Sequence, residues 1–199
     1  MNLLDYILIA IILLVALIRT FQMFLPHKKR KPGKIVAPWT LTLILISFYT
    51  VVFVSCIEYF LRDNEINLFV SAVGVLLIIP IRIIKNMAVK ELGEYWSIHI
   101  EIRKNQPLIT SGIYGYIRNP SYLTGILESI AIPLIANAWG MLLYGFTINL
   151  VVYYFRIKLE EQALMTHYGE RYLDYVQEVN AFCPKMKKIR MKLLVSHRG

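Results

Sequence analysis

Two polar clusters in an otherwise apolar chain carry the residue types that could hold a charged ligand. The first runs from Gln106 to Tyr122, reading Q-P-L-I-T-S-G-I-Y-G-Y-I-R-N-P-S-Y. Gly112 and Gly115 within it permit tight turns or a close approach of backbone to ligand. Pro120 pushes Asn119 out of the helical region, so Arg118-Asn119-Pro120 reads as the extended entry to a helix. Ser121 or Asn119 is placed to cap that entry, leaving unpaired N–H groups for an anion. The second cluster holds Arg156, Glu160 and Glu161, then His167-Tyr168-Gly169-Glu170-Arg171-Tyr172. Arg156 and Glu160 are one helical turn apart on one face. A guanidinium grips a carboxylate as a fork and stays charged when partly buried. An ordinary surface pair, or an arginine snorkelling at a span end, has the same spacing, although Arg before Glu is the less favourable order for helix stabilisation. We expect the two clusters to fold together into one cofactor pocket at a membrane surface.

The elements that must position these clusters are membrane helices. The chain has 199 residues, 57% of them hydrophobic, against about 45–50% apolar residues in soluble domains. A bilayer crossing needs about 20 mostly apolar residues. Spans are expected at about 3–25, 39–61, 67–84, 121–137 and 139–157, in an all-α single membrane domain covering 1–199. Arg19 falls near one end of the first span, where it can snorkel. Pro80 is expected to kink the third. Arg62-Asp63-Asn64-Glu65 and Asn137-Ala138-Trp139-Gly140 read as turns, the latter closing a helical hairpin. Residues 86–120 read as a polar loop, and Lys158 to about Glu178 as an amphipathic C-terminal helix.

The net charge of +9 is concentrated beside apolar spans, in Lys28, Lys29, Arg30, Lys31 and Lys34 and in Lys185, Lys187, Lys188, Arg190 and Lys192. That distribution suits cytoplasmic loops facing anionic lipid headgroups rather than a nucleic-acid face. The basic loops place the N-terminus outside and both polar clusters on the cytosolic side. Cys56 and Cys183 suggest neither a disulfide nor a metal site. The first apolar run is too long for a signal peptide, and no small-residue cleavage site follows it. The chain has neither a P-loop nor a dinucleotide-binding glycine motif. Glu128 falls in mid-span, where an ionisable residue is a functional candidate. It could meet a substrate amine, or be neutral and bonded to a neighbouring helix. Glu58, nearer a span end, reads as structural.

The ordered motifs L-I-T-S-G-I-Y-x-x-I-R-N-P-S-Y, then R-x-x-x-E-E and Y-G-E-R-Y-L-D-Y, resemble the isoprenylcysteine carboxyl methyltransferase family over about residues 94–184. The resemblance implies an integral membrane enzyme of the compact prokaryotic type, in a prokaryotic cell membrane, that uses S-adenosylmethionine. It implies cofactor contacts at His99, Gln106, Pro107, Leu108, Ile109, Tyr114, Asn119, Pro120, Ser121 and Tyr122. It gives Arg156 the substrate carboxylate and Glu160 the amino group or ribose of the cofactor. Histidine is usual in the family where this chain has Asn119, and common where it has Gln106. Asparagine still donates and accepts hydrogen bonds but cannot titrate.

The implied reaction transfers a methyl group from a sulfonium to a carboxylate oxygen of a lipidated or amphipathic substrate. A terminal carboxylate, with a reference pKa of about 3.3–3.7, is already ionised and needs no general base. The protein must supply alignment and partial removal of water. Three other functions fit the same layout: N-methylation of a lipid amine, NADPH-dependent membrane reduction, and a non-enzymatic membrane binding subunit.

Overall fold

A computed structural model describes residues 3–24, 32–62 and 66–185. The cluster Lys28 to Lys31, residues 63–65 of the expected turn and the tail beyond Lys185 lie outside them. The described chain is helical: α1 (Leu3–Phe24), α2 (Trp39–Leu61), α3 (Leu68–Leu92), α4 (Pro120–Ala136), α5 (Trp139–Tyr168) and α6 (Glu170–Glu178). The helices α1, α2, α3 and α5 are each long and apolar enough to cross a bilayer. Large apolar side chains such as Leu17, Phe53, Phe69 and Leu143 stay exposed on them, as lipid-facing residues do.

α4 differs from the span expected at 121–137. Its 17 residues reach about 25 Å, less than the hydrocarbon core of about 30 Å. It packs against α1, α2, α3 and α5 and buries Ile126, Ala131, Ile132 and Ile135, so it is the hub of the bundle. A Cβ on Gly74 of α3 would stand 2.7 Å from the Ile135 nitrogen and 2.8 Å from the Ala131 oxygen. Only glycine permits so close an approach of the two backbones.

Two expected boundaries move. α3 continues to Leu92 rather than stopping at 84, because Met87-Ala88-Val89 carries no helix breaker until Gly93. At φ 51°, Gly93 ends the helix by donating its N–H to Val89 O. Pro80 lies inside α3, which runs on helically past it. α5 likewise does not end at 157 but runs to Tyr168, about 45 Å at 1.5 Å per residue. Its last turns therefore carry Arg156, Glu160 and Glu161 to the edge of any bilayer it crosses. Gly169, at φ 58°, breaks the helix, and α6 turns back to bury Tyr172 and Tyr175.

Ends and turns are tied by polar side chains. Asn67 caps α3 by accepting from Phe69 N (3.1 Å) and Val70 N (3.2 Å). Glu58 of α2 accepts from Gly140 N and Met141 N, both at 2.9 Å. It thereby satisfies donors at the positive end of α5. Asn137, left-handed at φ 53°, closes the α4–α5 turn and donates to Ser71 Oγ at 2.7 Å.

The all-α expectation needs one amendment. β1 (Lys34–Val36) pairs antiparallel with β2 (Ile100–Ile102). Three-residue strands without a repeating apolar pattern leave no periodic signal. This ribbon joins the segment before α2 to the loop between α3 and α4.

Candidate functional site

The loop from Gly93 to Asn119 is folded back against the ends of the helices by bonds from α5, α6 and the segment after them. Tyr168 Oη donates to Pro107 O at 3.2 Å, and Tyr175 Oη to Tyr114 O at 2.7 Å. Arg118 N and Asn119 N donate to Asn180 O (2.9 Å) and Ala181 O (3.0 Å), extending the chain entry into α4. The Arg118 guanidinium donates to Glu161 at 2.9 Å and to Val176 O at 3.1 Å. The two polar clusters, separated by the α4–α5 hairpin in sequence, thus meet in space.

Between them is a cavity with a water-accessible volume of about 180 Å³. The twelve residues to which the resemblance gives a site role all line it; Gly112, Gly115, Glu161 and His167 do not. His99 comes from the turn before β2, and Gln106, Pro107, Leu108 and Ile109 from the loop after it. Tyr114 comes from a short 3-10 turn, Asn119 from the entry to α4, and Pro120, Ser121 and Tyr122 from the first turn of that helix. Arg156 and Glu160 come from α5.

Arg156 is buried, at 3% exposure, and its position is overdetermined. Nε donates to Tyr122 Oη at 3.1 Å and Nη1 to Thr40 Oγ1 at 2.8 Å, and Nη2 donates to Ile98 O. The hydroxyl of Tyr122 donates to Glu160. The expected one-turn pair is therefore bridged: Tyr122 stands between guanidinium and carboxylate. Three of the five guanidinium N–H groups are used, leaving two on the Nη atoms for a ligand oxygen.

Neither Asn119 nor Ser121 caps α4, contrary to expectation. Asn119 Nδ2 donates to Glu161 at 3.4 Å instead. Ser121 Oγ is buried with no well-aligned partner among the described residues, beside the Tyr114 phenol. Pro120 already fixes the first helical residue, so the cap is dispensable. Gln106 Oε1 accepts from Arg103 Nη1 at 3.4 Å. Arg103 is itself tied to Glu101 at 3.0 Å.

Tyrosines form much of the wall. Burial, and then the charge of Glu160, push the Tyr114 hydroxyl well above its ordinary range. Burial followed by Glu161 and Glu160 does the same for Tyr172. Burial also raises Tyr175, against the opposing charge of Arg118. These phenols stay neutral and serve as hydrogen-bonding and stacking surfaces.

The structure adds a group the motifs did not contain. Arg19 does not snorkel: it turns inward, at 8% exposure, pairs with Glu128 and donates to Tyr153 Oη at 3.0 Å. Arg82 Nη2 lies 3.3 Å from the other Glu128 oxygen. Glu128 is thus an ion-pair centre between α1, α3 and α4. A Cβ on Gly125 would collide with the Tyr153 hydroxyl, so that glycine leaves the space Tyr153 needs to reach Arg19. The available signal was the presence of charged residues in three apolar spans, but nothing in the spacing paired them.

Among the described residues no group of three or more His, Cys, Asp or Glu side chains could hold a metal ion. Fold and site together define a multi-pass helical membrane protein with a polar, tyrosine-walled cavity where its helices meet a folded loop.

Residues 73–166 match the sequence model of the Isoprenylcysteine carboxyl methyltransferase (ICMT) family. The chain is 30% identical over 90 residues to the uncharacterized protein YpbQ of Bacillus subtilis, covering 45% of this chain and 54% of that one. It is 29% identical over 128 residues to protein-S-isoprenylcysteine O-methyltransferase of Mus musculus, covering 62% and 44%. With protein-S-isoprenylcysteine O-methyltransferase B of Arabidopsis thaliana it shares 27% over 160 residues, covering 73% and 78%. The solved structure of the eukaryotic intramembrane Ras methyltransferase ICMT superposes with a TM-score of 0.61 at 21% identity, covering 90% of this chain and 62% of that one; it attests the fold. Over residues 73–166 the chain is thus similar to the isoprenylcysteine carboxyl methyltransferase family. It spans about half the length of its Bacillus and mouse relatives.

Proposed function

We propose that this protein is an S-adenosylmethionine-dependent membrane methyltransferase that O-methylates a carboxylate on a lipidated, isoprenylcysteine-like or amphipathic substrate. The observation that carries this reading is the placement of Arg156. It is a buried guanidinium clamped by Thr40, Tyr122 and Ile98, with two N–H groups still available in a cavity that Glu160 also lines. The names of the mouse and Arabidopsis relatives support the reaction class.

The cavity fits the implied cofactor in its chemistry. Tyr114 and Tyr122 offer ring faces for a purine. Glu160 offers a carboxylate to an amino or hydroxyl group, and the buried Ser121 hydroxyl lacks an aligned partner. Backbone groups around Leu108 and Ile109 could meet the adenine edge, with His99, Gln106 and Pro107 on the same wall and Asn119 and Pro120 at the entry to α4. Bound there, S-adenosylmethionine would supply an electrophilic methyl group on a sulfonium. Arg156 would orient the acceptor carboxylate, and Tyr122 would hold Arg156 and Glu160 in fixed relation. The closed loop and tyrosine wall would exclude water, which strengthens these charge interactions. Exposed Lys34, Lys90, Lys104 and Lys158 follow from an orientation with the cavity at the cytosolic face, next to anionic headgroups. A prokaryotic cell membrane is the location that goes with the resemblance.

Titration of the purified protein in neutral detergent tests the reading. Saturable binding of S-adenosylmethionine but not NADPH is expected, together with transfer of a labelled methyl group to an isoprenylcysteine analogue. Binding of NADPH alone would replace it with a membrane reductase. Transfer to a lipid amine instead of a carboxylate would make the protein an N-methyltransferase. Cofactor binding without transfer to any membrane lipid or analogue would leave a binding subunit.

A further inference from the structure

The cavity holds more positive charge than the proposed carboxylate clamp uses. Arg19, Arg82 and Lys85 all line it, and the two oxygens of Glu128 are taken by Arg19 and Arg82. The Lys85 ammonium has no hydrogen-bond acceptor among the described residues. It stands over the Trp96 ring, with Nζ 5.9 Å from the centroid. Arg82 Nε is also buried without an acceptor, although Nη1 and Nη2 reach Gln22 Oε1 and Val15 O, both at 3.1 Å. Lys85 and the Arg82 Nε are thus donors without an acceptor among the described residues, beside a carboxylate already taken by two arginines, an arrangement unfavourable out of bulk water unless an anion joins them.

We propose that Lys85 and Arg82, beside the Arg19–Glu128 pair, form an anion subsite that takes the ionised head of a single-chain amphiphilic acid. The inference rests on the methyltransferase reading, in which such an acid is the acceptor, and it adds where the acid's charge is first held. Apolar Met23, Leu41 and Ile44 line the same cavity and provide a wall for a hydrocarbon chain beside the cations. Lys85, with no acceptor among the described residues, is freer to receive a charged head first than Arg156, three of whose five N–H groups are committed to the protein. A path of side chains joins the two loci. Arg19 meets Tyr153 at 3.0 Å, the Tyr153 and Tyr122 rings lie 5.8 Å apart, and Tyr122 meets Arg156 at 3.1 Å.

The test is calorimetric titration of the full chain in neutral maltoside detergent with hexadecanoate, hexadecanol and acetate. It is run on the wild type, Lys85→Met and Lys85→Arg, with S-adenosylmethionine titrated into each. Hexadecanoate should bind the wild type and Lys85→Arg at least tenfold more tightly than hexadecanol or acetate does. Lys85→Met should lose at least tenfold in hexadecanoate affinity while keeping its S-adenosylmethionine affinity. Equal binding of hexadecanol would show that the chain alone is recognised, and equal binding of acetate that the site takes a free anion; either overturns the proposal. So does unchanged hexadecanoate affinity in Lys85→Met, which would put the acid on Arg156. Loss of S-adenosylmethionine affinity in that variant would assign the cations to the cofactor's carboxylate and also overturns it. Failure of the wild type to bind S-adenosylmethionine removes the methyltransferase reading, whereas the subsite is judged by the hexadecanoate comparison.

Discussion

Arg156 Nε donates to the Tyr122 hydroxyl at 3.1 Å, one of the bonds that join the two polar clusters across the α4–α5 hairpin. The same hydroxyl donates to Glu160, so a neutral phenol spaces a cation from an anion that helix geometry alone would let meet. An arginine paired directly with Glu160 would have less of its charge to offer a ligand. Interposing Tyr122 keeps both groups ordered and both charged surfaces in the cavity wall.

Tyr122→Phe tests that arrangement. The ring and its packing remain, while Arg156 and Glu160 each lose a partner. A hydrogen bond to a charged group is worth about 1.5–3 kcal/mol, so methyl transfer should fall by roughly 10- to 100-fold. Single-turnover transfer of labelled methyl groups would measure it, and undiminished transfer would show that the bridge is incidental.

Roles within the pair should separate by substitution. Arg156→Ala is expected to abolish transfer while largely keeping S-adenosylmethionine affinity. Glu160→Ala should weaken the cofactor. Arg156→Lys should rescue little, because one ammonium cannot replace a three-way clamp with a planar fork. Calorimetry beside the transfer assay distinguishes the two roles, and the reverse pattern would exchange them.

Glu128→Ala leaves Arg19 and Arg82 buried without their carboxylate. Breaking one side of a buried ion pair typically costs about 3–5 kcal/mol. The variant should denature at markedly lower temperature in detergent, by intrinsic fluorescence, whether or not ligand is present. An unaltered midpoint would mean that the three charges are solvated.

Two substitutions far from the cavity report on the scaffold. Gly74→Ala puts a methyl group against the backbone of Ala131 and Ile135, where no side chain can move aside. Glu58→Ala removes the acceptor for two N–H groups at the start of α5, a loss of about 1 kcal/mol by analogy with helix caps. Both should lower the unfolding midpoint, Gly74→Ala by more. Gly74→Ala matching the wild type would contradict the close α3–α4 approach.

Some of this architecture was legible before any coordinates. Long apolar runs with charged ends dictate membrane helices, because backbone polar groups in hydrocarbon must be satisfied within the segment. The glycine- and proline-marked loop from Gln106 to Tyr122 and the Arg156–Glu160 spacing stand out for the same reason: polar residues are costly there and need a use. Helix ends were less legible. Residues 86–92 and 158–168 mix charged and apolar side chains, so their composition suggests a loop and a separate helix. They continue α3 and α5 because polarity does not stop a helix; Gly93 and Gly169 do.

By itself, the amino-acid order determined which segments are apolar helices and which residue types could do chemistry, since both depend on local composition and spacing. Only the tertiary structure decided that Tyr122 bridges Arg156 to Glu160, that Arg19 and Arg82 converge on Glu128, and that β1 joins the loop at β2. Each of these joins residues from 34 to 109 positions apart. Such pairings follow from how helix faces pack and where backbones come close, and no local period records them.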